Sequence, residues 1–84
     1  MFYVYLIKTI NGQKKKSYVG YTNNIKKRLN IHNLNKGAKS TKGYKWELVY
    51  KKKFNSKSKA LSYEYKLKKD RNKRLNLINE FNKQ

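Results

Sequence analysis

The sequence predicts an α/β fold: a small sandwich in which three helices flank a three-stranded, mostly antiparallel sheet, in the order β-β-α-β-α-α. Three observations predict it. The chain opens on an apolar run closed by Asn11-Gly12, a second strand-like run breaks at Gly20 and enters helical spacing, and a third run precedes two amphipathic segments. With 84 residues, the chain is expected to form one domain over residues 1–84.

The strands are predicted at residues 2–10, 17–21 and 46–54. The first is a continuous apolar run, too short for a helix, which is typical of a central strand covered on both faces. Alternation sorts its side chains onto two faces, with Tyr3, Tyr5 and Ile7 on one and Phe2, Val4 and Leu6 on the other. The turn over residues 11–16 makes a hairpin the economical connection to the second strand.

The helices are predicted over residues 24–34, 57–69 and 72–82. Thr22 or Asn23 is expected to cap the first helix, and Ser56 the second. Helical spacing turns three sets of side chains inward: Ile25, Leu29 and His32; then Ala60, Leu61, Glu64 and Leu67; then Leu75, Ile78 and Phe81.

The charge balance indicates a polyanionic partner. Twenty-three Lys and Arg residues oppose four acidic ones, a formal charge of +19, and such an imbalance favours nucleic acid. Biased composition explains part of the lysine excess. An anionic membrane is less favoured, because the chain has neither a broad apolar helix face nor a membrane-spanning run. There are no cysteines for disulfides or thiolate metal sites. Without a signal peptide, a cytoplasmic protein is expected, with association with the nucleoid as one option.

The loop over residues 35–45 is rich in lysine, and it is either solvent-facing or a surface that contacts phosphates. We favour phosphate contact. The lysines predicted to bind nucleic acid are Lys14, Lys15, Lys16, Lys36, Lys39, Lys42, Lys45 and Lys69. If about six phosphates are neutralised, the logarithm of the affinity should fall with the logarithm of the salt concentration at a slope near −5.

Glu64 is the acidic residue that is out of place. It falls on the core-facing stripe of its helix, where a lone carboxylate must be paired or hold a metal. An ion pair with Arg28 or a lysine is the alternative to a metal site. Mg²⁺ takes oxygen ligands, and the other acids are expected to be solvated (Asp70, Glu80) or paired with a surface lysine (Glu47).

Arg28 and His32, the only histidine, lie four residues apart on one helix and converge on one point. Two such donors suit a phosphate. The alternative for His32 is a core histidine with satisfied hydrogen bonds.

These residues resemble the GIY-YIG nuclease superfamily over about residues 2–78. The two signature tripeptides are matched by Y-V-Y at 3–5 and Y-V-G at 18–20, followed by Arg28, His32 and Glu64. G-A-K-S-T at 37–41 and W-E-L-V-Y at 46–50 are similar to the compact branch, which comprises small stand-alone bacterial proteins and the catalytic domain of the eukaryotic structure-specific junction nuclease. The first signature lacks its glycine. The late asparagine of the family would be Asn76, Asn79 or Asn82.

The resemblance implies a metal-dependent DNA endonuclease, acting in repair or recombination on branched or nicked DNA. Glu64 would hold Mg²⁺ or Mn²⁺ and Arg28 would neutralise charge on the phosphate. Tyr18 or Tyr5 would take the proton of the attacking water; we prefer Tyr18, with Tyr5 positioning water or phosphate and His32 relaying the proton. A monomer or weak dimer is expected. The alternatives are a non-catalytic nucleic-acid-binding module with the same fold, and a scaffold that brings basic surface to a complex.

Overall fold

The computed structural model describes residues 1–84 and contains one three-stranded sheet. Its strands are β1 (Phe2–Thr9), β2 (Ser17–Thr22) and β3 (Trp46–Phe54). The strand order is β2-β1-β3 and both pairings are antiparallel. The predicted fold class and the central position of β1 are confirmed. β2 and β3 are edge strands, and the outer edge of β2 is where the candidate site lies.

Three helices flank the sheet: α1 (Ile25–Asn33), α2 (Lys57–Lys69) and α3 (Arg71–Asn82), with a 3₁₀ turn at Lys39–Thr41. The cap predicted for α1 is wrong. Asn24 caps it, accepting from the Lys27 amide at 3.1 Å, because Thr22 still belongs to β2 and its hydroxyl instead accepts from the Asn24 amide at 3.1 Å. Ser56 caps α2 as predicted.

The alternation predicted along β1 is confirmed, since its two faces build two separate cores. Val4 and Leu6 pack with residues of α2 on one side of the sheet. Tyr5 and Ile7 pack with Trp46 and with residues of α1 on the other. The register against β3 shifts between Leu6 and Ile7. The tyrosine-bearing face of β1 is therefore the face that α1 covers.

Two leucines predicted to point inward are exposed. Leu61 is 40% exposed and Leu75 is 44% exposed, whereas Tyr63 and Leu77 pack against the core in their place. The other predicted inward positions hold, since Ala60 and Leu67 are buried and Ile78 packs against the core. An exposed leucine costs little, so apolar spacing alone does not show which leucines are buried.

The acidic residues other than Glu64 behave as predicted, with one difference. Glu47 pairs with Lys8 at 2.7 Å, although that lysine is only 12% exposed and is not a surface residue. Glu80 is exposed beside Lys83, and Asp70 is exposed and caps α3.

None of the three helices has the length and hydropathy needed to cross a bilayer.

Candidate active site

Tyr5 and His32 form a buried hydrogen-bonded pair under α1. The Tyr5 hydroxyl lies 2.8 Å from His32 Nε2, and the two side chains are 2% and 0% exposed. On the other side of the imidazole, Nδ1 lies 2.9 Å from Thr41 Oγ1, which lies 2.8 Å from the Ala38 carbonyl oxygen. Groups from β1, α1 and the 38–41 segment are thus joined in one chain of hydrogen bonds.

The carbonyl at the end of this chain fixes the direction of each hydrogen bond. A carbonyl only accepts, so the Thr41 hydroxyl donates to Ala38 and must accept from His32 Nδ1–H. A neutral imidazole protonated on Nδ1 has an acceptor at Nε2, so the Tyr5 hydroxyl donates to it. The Tyr5 oxygen can still accept one further hydrogen bond.

Burial sets the protonation state of both groups. It raises the pKa of Tyr5 to about 12, which the nearby Arg28 guanidinium opposes and the neighbouring Tyr18 reinforces. Burial also lowers the pKa of His32 below its ordinary value of 6.5, and the Arg28 guanidinium acts in the same direction. At neutral pH, Tyr5 is a neutral phenol and His32 a neutral imidazole.

The lowered pKa of His32 makes the folded state sensitive to acid. Since the unfolded chain binds this proton more readily, the stabilisation is complete above pH 6.5 and is lost as the pH falls towards the folded-state pKa. We expect the free energy of unfolding to decline there with a slope approaching 1.4 kcal/mol per pH unit, about the value for one proton. Urea denaturation at several pH values measures it. His32→Gln should flatten the profile, because the chain has no other histidine; an unchanged slope would contradict this assignment.

Two glycines leave room for the buried pair. A β-carbon at Gly20, opposite Tyr5 in the β1–β2 register, would collide with the hydroxyl and ring of Tyr5. A β-carbon at Gly37 would lie 2.5 Å from His32 Nδ1. Gly20, the glycine of the second signature tripeptide, is therefore required for steric reasons, because only a residue without a β-carbon lets the Tyr5 ring lie across β2.

We expect Gly20→Ala to destabilise the fold by about 1–3 kcal/mol, the usual cost of overpacking a core. The comparison that isolates the collision is the same change in a Tyr5→Leu background, where most of the cost should disappear. Chemical denaturation of the four proteins gives the coupling free energy. A full cost in both backgrounds would mean that the methyl group acts elsewhere than on the tyrosine ring.

Tyr18 lies beside the pair but is free of it. Its ring centroid is 5.1 Å from that of His32 and 6.4 Å from that of Tyr5. Arg28 Nε is the only buried side-chain nitrogen or oxygen that lacks a partner. The hydroxyl of half-buried Tyr18 makes no hydrogen bond in the protein, so it is open to solvent. The Tyr18 hydroxyl is therefore free both to donate and to accept a hydrogen bond, whereas the Tyr5 hydroxyl already donates to His32.

Arg28 is half-buried on α1, and its buried Nε has no hydrogen-bond partner. A buried donor without a partner is costly. Its guanidinium also influences the pKa of both Tyr5 and His32, so it lies with them. No carboxylate pairs with Arg28, which excludes the predicted alternative of an Arg28–Glu64 ion pair.

Glu64 lies on α2. Its side chain is 17% exposed, and one carboxylate oxygen lies 3.4 Å from Lys68 Nζ. Its charge also helps to raise the pKa of Tyr5, which lies under the helix on the other side of the sheet. The predicted alternative of an ion pair with a lysine is therefore realised, and it coexists with the proximity of Glu64 to the phenol.

The residues fit a hard cation that keeps most of its water. No three His, Cys, Asp or Glu side chains gather into a ready-made metal site. Mg²⁺, however, commonly takes one or two carboxylates, with waters and substrate phosphate oxygens as its other ligands. Glu64 supplies one such carboxylate, and a metal there would compete with Lys68. The unpartnered Arg28 Nε is a donor for a substrate phosphate, whose other oxygens would complete the ligands of the metal.

The eight lysines predicted to bind nucleic acid lie in the 11–16 turn, in the 35–45 loop and at the end of α2. All eight are exposed. Gln13 joins the two lysine-rich loops, with both ends of its side-chain amide bonded to the Lys45 backbone at 3.1 and 3.0 Å. The Lys45 ammonium donates to the Asn33 carbonyl at 2.9 Å, and those of Lys16 and Lys69 lie over tyrosine rings. That these lysines contact DNA stays a prediction.

Sequence reasoning missed several residues that hold the site. Thr41 and Gly37 lie in the matched G-A-K-S-T stretch, but nothing in the spacing indicated their contacts with His32. Asn33 binds both the amide and the carbonyl of Trp46, at 2.7 and 3.1 Å, and fixes α1 to β3. The late asparagines Asn76, Asn79 and Asn82 are all exposed, and none bonds to a site residue.

The small antiparallel sheet with its three helices, and the cluster of Tyr5, Tyr18, Arg28 and His32, are those expected of the GIY-YIG class of domain. The family model described as the GIY-YIG catalytic domain matches residues 1–79, and the chain belongs to the GIY-YIG family. The resemblance read from the sequence is thereby confirmed.

Two bacterial relatives are of similar length to this chain, and a viral one is longer. UPF0213 protein OB0043 of Oceanobacillus iheyensis is 43% identical over 84 residues, covering 98% of this chain and 93% of that protein. UPF0213 protein SSP2268 of Staphylococcus saprophyticus is 42% identical, with 93% and 94% covered. A protein of Acanthamoeba polyphaga mimivirus, L300, is 46% identical over 90% of this chain and half of its own length. No solved structure matches significantly.

Proposed function

We propose that the protein is a metal-dependent endonuclease that hydrolyses phosphodiester bonds in DNA, with a preference for branched or nicked structures. One observation carries the proposal: the buried Arg28 Nε has no partner in a site that also holds an open phenol and a half-buried carboxylate. A phosphate oxygen would satisfy that donor. The charge of +19 supports DNA as the source of the phosphate.

Glu64 would hold the metal, Mg²⁺ or Mn²⁺. The bound metal would supply charge neutralisation at the phosphate and at the leaving oxygen. Arg28 would bind the non-bridging oxygens with its planar fork of N–H donors. Because Arg28 comes from α1 and Glu64 from α2, the two would approach the phosphate from opposite sides of the sheet, across the open edge of β2.

The two phenols are suited to different tasks. Tyr5 donates its proton to His32 and has a pKa raised to about 12, so it is a poor proton acceptor at neutral pH. Its oxygen can accept a hydrogen bond from the attacking water and so orient it. Tyr18, whose hydroxyl is uncommitted, is the phenol that would take the proton from that water. His32 would hold Tyr5 in place and accept its proton if a relay is needed.

Replacing each phenol by phenylalanine tests this division. We expect Tyr18→Phe to lower the cleavage rate by about 10²–10⁴-fold, the usual contribution of a general base, and Tyr5→Phe to lower it less. Single-turnover cleavage by the two variants and the wild type measures both losses. The reverse pattern would exchange the two roles.

A non-catalytic DNA-binding module is the second candidate, because the Lys68–Glu64 pair neutralises the one carboxylate available to a metal. The deciding experiment is a cleavage panel of nicked, flapped, branched and linear DNA with Mg²⁺ and Mn²⁺ titrations. Metal-dependent cleavage that Arg28→Ala and Glu64→Ala abolish supports the endonuclease. Binding without cleavage at any metal concentration would support the module, and equal cleavage by all three proteins would identify a contaminant.

A further inference from the structure

A basic cavity adjoins the candidate active site on the outer edge of β2. It encloses about 210 Å³ and is lined by Ser17, Tyr18, Val19, Lys68 and Arg74. Tyr18 belongs to the candidate site as well, and Lys68 pairs with Glu64, so the cavity touches that site from two directions. Its lining holds two cations, two hydroxyls and no carboxylate.

Two hydrogen bonds to backbone carbonyls hold the Arg74 side chain in the cavity wall. Its Nη1 donates to the carbonyl of Leu67, at 2.9 Å, which also accepts from the Asp70 amide, and to the carbonyl of Lys68 at the end of α2. Both hydrogens of Nη1 are used there. The remaining three N–H groups, on Nε and Nη2, have no partner in the protein, and none of them is buried. A guanidinium fixed along one side therefore presents its other side to the cavity.

Lys68 completes the wall next to Glu64. Its side chain is 51% exposed, and its ammonium lies 3.4 Å from the carboxylate. A partly exposed ion pair of this kind contributes little to stability, so exchanging the carboxylate for another anion is inexpensive. The ammonium can turn from Glu64 to a ligand in the cavity without disturbing the helix.

We propose that this cavity binds a DNA backbone phosphodiester that neighbours, on the same strand, the phosphodiester that is cleaved. Its lining suits a compact anion: the arginine fork and the ammonium bind phosphate oxygens, and the Ser17 hydroxyl adds a neutral donor. Because Tyr18 lines the cavity and also belongs to the candidate site, a phosphate in the cavity would lie next to one in the site. This proposal rests on the proposed function for the identity of the DNA, but binding tests it without cleavage.

The test is a scan in which one phosphate at a time is replaced by a neutral methylphosphonate in a fluorescent branched DNA duplex. Binding is measured by anisotropy in EDTA, for wild type and for the Lys68→Gln/Arg74→Gln double variant. We expect one position near the branch at which neutralisation weakens wild-type binding by on the order of tenfold, the worth of a charge-assisted hydrogen bond. In the double variant the same position should show no loss.

Lys57→Gln is the matched control, since it removes one exposed charge at the other end of α2. It should keep the position-specific loss. If the double variant does not fold, Lys68→Gln alone, which leaves the Arg74 contacts intact, is expected to halve the logarithm of the effect. The proposal is overturned if no position loses its effect in the variants. A position-specific effect without cleavage in any panel would sustain the cavity and refute the nuclease; cleavage without such a position would do the reverse.

Discussion

Glu64→Gln should abolish metal-dependent cleavage and leave DNA binding intact. The amide keeps the size of the side chain but removes the charge that a hard cation needs. Metal stabilisation of phosphoryl charge is worth several kcal/mol, so we expect a rate loss on the order of 10³-fold or more. Single-turnover cleavage measures the rate, and the water-relaxation enhancement of bound Mn²⁺ measures metal binding independently of activity.

Glu80→Gln is the matched control. Glu80 is 74% exposed on α3, and its only partner is Lys83 at 3.8 Å. It should match wild type in cleavage and in Mn²⁺ binding. If Glu64→Gln bound Mn²⁺ as wild type does, Glu64 would not be the metal ligand, whatever happened to the rate.

The structure adds that Lys68 competes for the same carboxylate. Since its ammonium is 3.4 Å from Glu64, the metal must displace a cation already present, and metal affinity depends on that exchange. The sequence allowed an ion pair of Glu64 with a lysine, and the i, i+4 spacing of Glu64 and Lys68 is the one at which opposite charges meet on a helix.

The strands were predictable because their signal has a period of two and both cores depend on it. Val4 and Tyr5 are adjacent in sequence and lie in different cores. A register shift of one residue would therefore place every side chain of β1 on the wrong face of the sheet. The helix faces were less certain, because α2 and α3 carry exposed leucines. Leu61 and Leu75 satisfied the apolar spacing and still lie outside the core.

Tyr5, His32 and Glu64 could be named as candidates from the sequence, Tyr5 through the resemblance, but the contacts that His32 makes could not. That His32 is bracketed by Tyr5 and Thr41 depends on the conformation of the 35–45 loop, which no periodicity describes. The Arg74 contacts depend on the angle between α2 and α3, another tertiary feature with no local signal.

Arg28→Met should inactivate the enzyme without destabilising it. Arg28 Nε is buried and unpartnered, a situation that costs about 1–3 kcal/mol. Methionine keeps the aliphatic packing and removes the donor, so we expect the free energy of unfolding to stay level or to rise by up to about that amount. Cleavage should fall by about 10²–10³-fold, the loss on removing one charge-stabilising donor.

Arg28→Lys separates charge from geometry. Lysine keeps the charge but lacks Nε and the planar fork, so it should restore only a small part of the rate. Arg71→Met, an exposed arginine at the start of α3, is the control for loss of a positive charge and should change neither stability nor rate appreciably. Denaturation and single-turnover cleavage on the same samples decide the matter. If Arg28→Met lost stability in proportion to activity, the arginine would be a structural residue. A gain in stability together with a loss of cleavage would show that the arginine is retained to bind a ligand at the expense of stability.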